Sequence, residues 1–194
     1  MLKYGLEKEY FLLKDGKPIV VSGFPADECG LLVEARGEPH YSITGAIFSL
    51  LSKDYELQTK AKKESLVLSD QPLMVIPHDV KLEAMRRFAK PLIKYENLYG
   101  HKAHKNSLRE QTAGVHISFT SPQSYSYDNG KIYKYNTIFD FVQIFKKLDK
   151  AFAEEIKSAK RLPGFYELKT DGRIEYRSLP ANVNLFKVIE ILSG

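Results

Sequence analysis

Alternating polar and apolar positions run through four separate segments of the chain. Residues 5–11 (GLEKEYF), 30–36 (GLLVEAR), 113–119 (AGVHISF) and 173–177 (RIEYR) carry carboxylate, imidazole or guanidinium groups on one set of alternate positions. The other set is mainly apolar. Because successive side chains of a strand point to opposite faces of the sheet, the pattern predicts four strands, each with one polar and one apolar face.

Helical periodicity predicts the layer that covers the apolar faces. Apolar residues recur at helical spacing in four segments, residues 42–53, 79–90, about 137–157 and 184–192, the third of which is predicted to be the longest helix. Turn residues predict hairpins at 14–17 and 128–131, residues 73–77 are predicted to be a strand, and the polar stretch 92–112 a loop. With no repeat or linker, the chain is expected to be one domain, residues 1–194, of the α+β class, with a mainly antiparallel sheet that carries helices on one face.

Composition and charge narrow the functional classes. The chain has 194 residues, 43% hydrophobic and 27% charged, which is typical of a globular protein. Its first residues carry charges and no window approaches the ~20 apolar residues of a spanning helix, so we expect a cytoplasmic protein without a membrane partner. The single cysteine, Cys29, excludes an internal disulfide. A net charge of +5 suits an anionic ligand and is compatible with nucleic acid without requiring it.

The polar faces of the four strands suggest a metal site. If the strands join one sheet, they collect Glu7, Glu9, Glu34, His116 and Glu175. Clustered carboxylates repel strongly unless cations lie between them, and oxygen ligands with one imidazole suit magnesium or manganese. Taken singly, each glutamate is more often a surface residue, and a lone histidine is more often a hydrogen-bonded core residue. The shared alternation is what favours the metal site.

Two arginines flank Glu175 on its predicted strand face. Arg173 and Arg177 offer planar, permanently charged forks that hold phosphate and carboxylate oxygens. Together with metal ligands they indicate phosphoryl transfer. Two other interpretations remain open at this point: a solvated strand with an exposed ion pair, and a magnesium-dependent nuclease or phosphodiesterase.

The order of the motifs resembles a known superfamily. GLEKEYF, DECGLLVEARGEPH, AGVHISF and GFYELKTDGRIEYRSLPAN together resemble the carboxylate-amine ligases of the glutamine synthetase and glutamate-cysteine ligase superfamily, with the closest likeness to the small amidoligases of phages and bacteria. The four blocks extend from residue 5 to about residue 184. The most specific block is the R-x-E-x-R strand that ends in a proline and asparagine turn. This chain departs from the small amidoligases at Glu167, where they often have arginine.

The resemblance implies a fold, a reaction and a set of roles. The fold would be a curved antiparallel sheet whose concave face is the active site, as in the glutamine synthetase catalytic domain. The reaction would join a small-molecule or peptide carboxylate to an amine, through an acyl phosphate made with ATP and magnesium or manganese. The implied metal ligands are Glu7, Glu9, Glu34, His116 and Glu175.

The resemblance also implies which residues handle the nucleotide. Arg173, Arg177 and Lys169 would bind its phosphates, and Arg177 with Glu175 would be catalytic. The short chain and Glu167 also suit a non-catalytic, nucleotide-binding relic of a ligase. An oligomer is compatible with either alternative.

Overall fold

The computed structural model describes residues 2–88, 96–102, 110–120, 126–128, 131–133, 137–169 and 173–194, with side chains except those of residues 126–140. Its elements in chain order are β1 (Lys3–Lys14), β2 (Lys17–Pro18), β3 (Leu32–Arg36), α1 (Ile43–Lys63), β4 (Val67–Ser69), β5 (Leu73–Val75), α2 (His78–Arg87), β6 (Glu96–Asn97), β7 (Glu110–Thr112), β8 (Gly114–Thr120), β9 (Ser126–Asp128), β10 (Lys131–Tyr133), α3 (Thr137–Ala151), α4 (Ala153–Ser158), β11 (Phe165–Leu168), β12 (Ile174–Pro180) and α5 (Leu185–Ser193).

Eight strands form the main sheet among the described residues. Six of them follow the order β2-β1-β8-β12-β11-β6, while β3 and β4 pair with β1 as well. Every pairing in this sheet is antiparallel. The predicted mixture of helices with a mainly antiparallel sheet is therefore confirmed, and β1, at 12 residues, is the strand around which the others are arranged.

The helices α1, α3, α4 and α5 pack on one face of this sheet. Leu6, Tyr10 and Leu12 of β1 point into the core there, as the alternation predicts. They meet a continuous apolar surface formed by Ile47 and Leu50 of α1 with the buried side of the remaining helices. Ser42 and Asn184 begin α1 and α5 as N-caps, because their side-chain oxygens accept backbone N–H groups of the first turn.

A smaller apolar cluster closes one end of the opposite face. Phe11 and Leu32 are paired across β1 and β3, on the same face as the predicted acidic residues. They pack with Ile76 and with Ala84 of α2. The polar face is consequently shielded from water at this end, which helps to explain why charged groups next to it are buried.

Several sequence predictions need correction. The longest described helix is α1, and the segment 137–157 is divided at Phe152, whose φ of −117° interrupts the helix. The helix α2 begins at His78, with Asp79 in its first turn. The predicted loop 92–112 contains β6 and β7, although residues 92–95 and 103–109 lie outside the described residues. The hairpins β1–β2 and β9–β10 are found, the turn residues 129–130 of the second lying outside the described residues.

No helix in the described ranges is both long enough and apolar enough to cross a bilayer.

Candidate metal centre

The register of the sheet brings the five predicted acidic and imidazole residues onto one face. Glu7 of β1 lies opposite His116 of β8, and Glu9 lies opposite Glu34 of β3. Glu175 of β12 lies opposite Ser118, which is two residues from His116 and therefore on the same face. Alternation along each strand and pairing between strands both place these side chains together, so the expectation of a shared face is confirmed.

His116 lies at the centre of this acidic cluster, which we define as Glu7, Glu9, Glu34, His116 and Glu175. Its Nδ1 is 3.9 Å from an oxygen of Glu7 and 3.7 Å from an oxygen of Glu175, and its Nε2 is 3.7 Å from an oxygen of Glu9. These distances exceed those of hydrogen bonds. The imidazole thus faces three carboxylates without donating to any of them.

His116 is also a buried polar group that is left unsatisfied. The residue is 1% exposed, and its Nδ1 has no hydrogen-bond partner in the described part of the chain. Such orphaned atoms are rare in native proteins and call for an explanation, for which an unmodelled ion is one of the usual reasons. The free nitrogen points at the carboxylates of Glu7 and Glu175, so the vacant valence and the negative charge coincide.

The donor set fits a divalent cation. The nearest ligand atoms of Glu7, His116 and Glu175 all lie within 4.8 Å of one another. Ligands at ~2.1 Å from an octahedral ion are ~3 Å apart when adjacent and ~4.2 Å apart when opposite. Separations of 3.7 and 3.9 Å fall between these limits. Two carboxylates and one imidazole suit magnesium or manganese, and these three residues would hold the ion.

Cationic side chains surround the cluster and offset much of its charge. Arg177 pairs with Glu175 and donates to Glu167 at 3.2 Å, and Lys169 lies 2.8 Å from Glu167 and 3.5 Å from Glu175. Two further arginines act at the opposite side: Arg36 pairs with Glu34 and Glu7, and Arg161 lowers the pKa of Glu9 through its charge. Five ionised carboxylates and four cations leave one excess negative charge.

Burial changes the protonation of three members of the cluster. It raises the pKa of Glu9 to about 7, against the opposing charges of Arg161 and Arg177. It also raises the pKa of Glu34 to about 7, against the opposing charge of Arg36. The pKa of His116 is held well below its usual value, first by burial and then by Arg177. The imidazole is therefore neutral at pH 7, which is the form that binds metal.

A β-bulge in β12 aims Arg177 at the cluster. The pairing of β12 with β8 shifts between Tyr176 and Leu179, so that Arg177 and Ser178 together oppose one residue of β8. The guanidinium of Arg161 donates to the backbone carbonyls of both bulged residues. It also lies against Gly114, where a Cβ would come within 2.7–2.8 Å of it. The absence of a side chain at Gly114 is what gives this clamp its space.

The structure assigns the remaining predicted residues unequally. Lys169 does reach Glu175, as the resemblance implies. Arg173 precedes the first residue of β12 and is half-buried, and its carbonyl accepts the N–H of Lys169. Glu167, noted only as a departure from the amidoligase pattern, lies opposite Glu175 and belongs to the site.

Two arginines of the site were missed by sequence reasoning. Arg36 follows Glu34 by two residues, so the alternation that selected Glu34 also places Arg36 on that face. Arg161 gave no such signal, because it follows α4 at a turn and reaches the strand through a long side chain.

Comparisons with protein-family models, with curated proteins and with solved structures find no match for this chain. The likeness to amidoligases therefore rests on the four sequence blocks. The geometry of the acidic cluster stands independently of that likeness.

Proposed function

We propose that the chain is an ATP- and metal-dependent carboxylate-amine ligase with a glutamine synthetase-like sheet. The observation that carries the proposal is the buried cluster of Glu7, His116 and Glu175, whose imidazole nitrogen is unsatisfied and faces two carboxylates. The order of the sequence blocks supports the same reaction class. A magnesium or manganese ion held there would neutralise phosphate charge during transfer.

The cationic residues would position the anionic reactants. Arg177 and Lys169 lie at one side of the cluster, on β12 and directly after β11, and both are directed at carboxylate oxygens in this structure. A bidentate guanidinium is suited to hold a phosphoryl group, since its donors match two oxygens at once. In the proposed reaction a carboxylate oxygen takes the γ-phosphoryl group of ATP and releases ADP. The amine then attacks the acyl carbon, and phosphate leaves with the carbon–oxygen bond.

The test is ADP release in the presence of magnesium, ATP, and panels of carboxylic acids and amines that include amino acids and small peptides. We expect ADP and an amide product, identified by mass spectrometry, only when an acid and an amine are both supplied. Glu175→Gln keeps the side-chain shape and removes one ligand charge, so turnover should fall by roughly 100-fold or more.

The matched control is Glu190→Gln, which removes the same charge from an exposed position on α5. It should turn over like the parent protein. Metal-dependent cleavage of a phosphodiester such as bis(p-nitrophenyl) phosphate, without any need for ATP, would contradict the ligase and favour a nuclease or phosphodiesterase.

A second candidate, a nucleotide-binding module without turnover, is favoured by one observation. The guanidinium of Arg177 is held by Glu175 and Glu167, so it is already engaged by carboxylates in this structure. If ATP binds with magnesium and no acid and amine pair produces ADP, this candidate replaces the ligase.

A further inference from the structure

A cavity of about 780 Å³ lies apart from the acidic cluster. Its wall includes Leu73 of β5 and Glu110 of β7 on one side, and residues of α3 and α4 on the other. The volume lies within the range of roughly 300–1,000 Å³ that is usual for small-molecule sites. Nothing in the proposed ligase reaction uses this cavity.

Apolar side chains supply much of the cavity wall. Leu73, Ala153, Ile156, Leu162 and Pro163 all contribute to it. Ala153 is the first residue of α4, and its small side chain leaves room between the two helices and β5. A ligand for this cavity would therefore have a sizeable apolar body, because apolar surface favours apolar contact.

Positive charge is concentrated on the same wall. Lys146, Lys150 and Lys157 follow one another at intervals that, with Ala153 between them, keep a single side of α3 and α4. Lys160 and Arg161 extend this basic surface beyond the end of α4. Five cations thus border an apolar space.

The two acids of the cavity are already engaged. Asp149 accepts the hydroxyl groups of Tyr99 and Tyr176 and the N–H of Gly164. Glu110 pairs with Lys160 at 2.7 Å. Neither acid pairs with Lys146, Lys150 or Lys157 in the described part of the chain, so the cavity keeps a net positive charge.

We propose that this cavity binds an organic anion that combines a carboxylate with an apolar body of about the size of a fused aromatic ring. The apolar wall would hold the body, and the lysines of α3 and α4 would attract the carboxylate. The inference does not depend on ligase activity, on ATP or on a metal ion.

The experiment is a calorimetric titration of the metal-free protein with naphthalene-2-carboxylate, and with naphthalene-2-carboxamide as its neutral counterpart of nearly the same shape. We expect the carboxylate to bind at least roughly tenfold more tightly, since only the anion gains from the lysines. Benzoate, with the same charge and a smaller body, should bind more weakly than naphthalene-2-carboxylate.

Charge-reversal variants locate the site. Lys146→Glu and Lys157→Glu, both exposed positions on different helices, should each weaken the carboxylate by roughly tenfold. Lys147→Glu is the matched control, because it makes the same change on an exposed position of α3 that does not line the cavity. It should bind like the parent, and circular dichroism checks that all three variants are folded.

Three outcomes would overturn the proposal. The first is no binding of naphthalene-2-carboxylate at millimolar concentration. The second is equal affinity for the carboxylate and the carboxamide, which would make the cavity merely apolar. The third is an equal loss in Lys147→Glu and Lys146→Glu, which would make the attraction a general effect of net charge.

Discussion

Two buried carboxylate sites lie on opposite faces of β12, and they differ in how their charge is satisfied. Tyr176 points into the helix-covered core, where its hydroxyl donates to Asp149 at 2.6 Å. The preceding residue, Glu175, points to the other face and belongs to the acidic cluster. Asp149 and Glu175 are 6% and 0% exposed, so burial does not distinguish them.

The difference lies in their neighbours. Asp149 accepts three hydrogen bonds from neutral donors, the two tyrosine hydroxyls and the N–H of Gly164. Around Glu175, carboxylates and cations alternate, and the nitrogen of His116 remains without a partner among the described residues. A complete set of donors is typical of a structural carboxylate, whereas an incomplete set leaves a valence for a ligand.

Asp149→Ala gives the largest expected effect and tests the structural half of the comparison. It leaves the buried hydroxyl of Tyr176 and the N–H of Gly164 unpaired, so the free energy of unfolding should fall by about 3 kcal/mol or more. Urea denaturation measures the change. Tyr99→Phe removes one of the three donors and should cost only about 1 kcal/mol. Equal losses in the two variants would contradict the structural role of Asp149.

Gly114→Ala should have an intermediate effect and acts on the other face. The new Cβ would lie 2.7–2.8 Å from the guanidinium of Arg161, so Arg161 would have to leave the carbonyls of the bulge. We expect a loss of about 1–3 kcal/mol in the free energy of unfolding, which is the usual cost of overpacking.

A neighbouring position of β8 provides the comparison for this change. Ser118→Ala removes only the 3.2 Å hydrogen bond from Ser118 to Glu175. Its cost should therefore be the smaller of the two. Gly114→Ala that is as stable as the parent would show that the clamp of Arg161 is dispensable.

The smallest expected effect is a pH dependence of the metal-free protein. A carboxyl whose pKa is raised to about 7 on folding binds its proton more tightly in the folded state than in the unfolded state. Its contribution to stability is therefore complete below about pH 4.5 and is lost as the pH rises through 7. His116, with its lowered pKa, acts in the opposite direction below about pH 6.5.

Comparison of Glu9→Gln with the parent isolates one of these groups, since His116 and Glu34 are common to both. Between pH 5 and 7 the variant should gain stability relative to the parent, by at most about 1.4 kcal/mol per pH unit. Glutamine keeps an oxygen to accept the N–H of Gly114, which Glu9 accepts at 2.7 Å. A stability difference that is constant with pH would contradict the raised pKa of Glu9.

The acidic cluster could be predicted from the sequence because it depends on local geometry. Alternation along a strand has a fixed period of two, so Glu7, Glu9 and His116 had to share faces with their own neighbours. Antiparallel pairing in one sheet then brought the strands together. Arg161 could not be predicted in this way, because its contacts with residues 177 and 178 depend on a turn and on a long side chain.

The missed elements have equally physical causes. The strands β4, β6 and β7 have two or three residues each, which is too short for a period of two to appear. The second half of α1 is rich in charged residues, and Leu57 and Ala61 alone continue its buried face. The apolar stripe of residues 137–157 is continuous in sequence, so it did not reveal the break at Phe152.

The most direct test of the central claim is a calorimetric titration of the metal-free protein with Mn²⁺ at pH 7.5, in the parent, in Glu7→Gln and in Glu190→Gln. Glu7 and His116 lie close enough to bind one ion together, so the parent and Glu190→Gln should bind Mn²⁺ with equal affinity. Glu7→Gln should bind it at least about tenfold more weakly, because a ligand charge is lost while the shape is kept. Failure of the parent to bind Mn²⁺ at millimolar concentration, or equal affinity in Glu7→Gln, would contradict the metal centre.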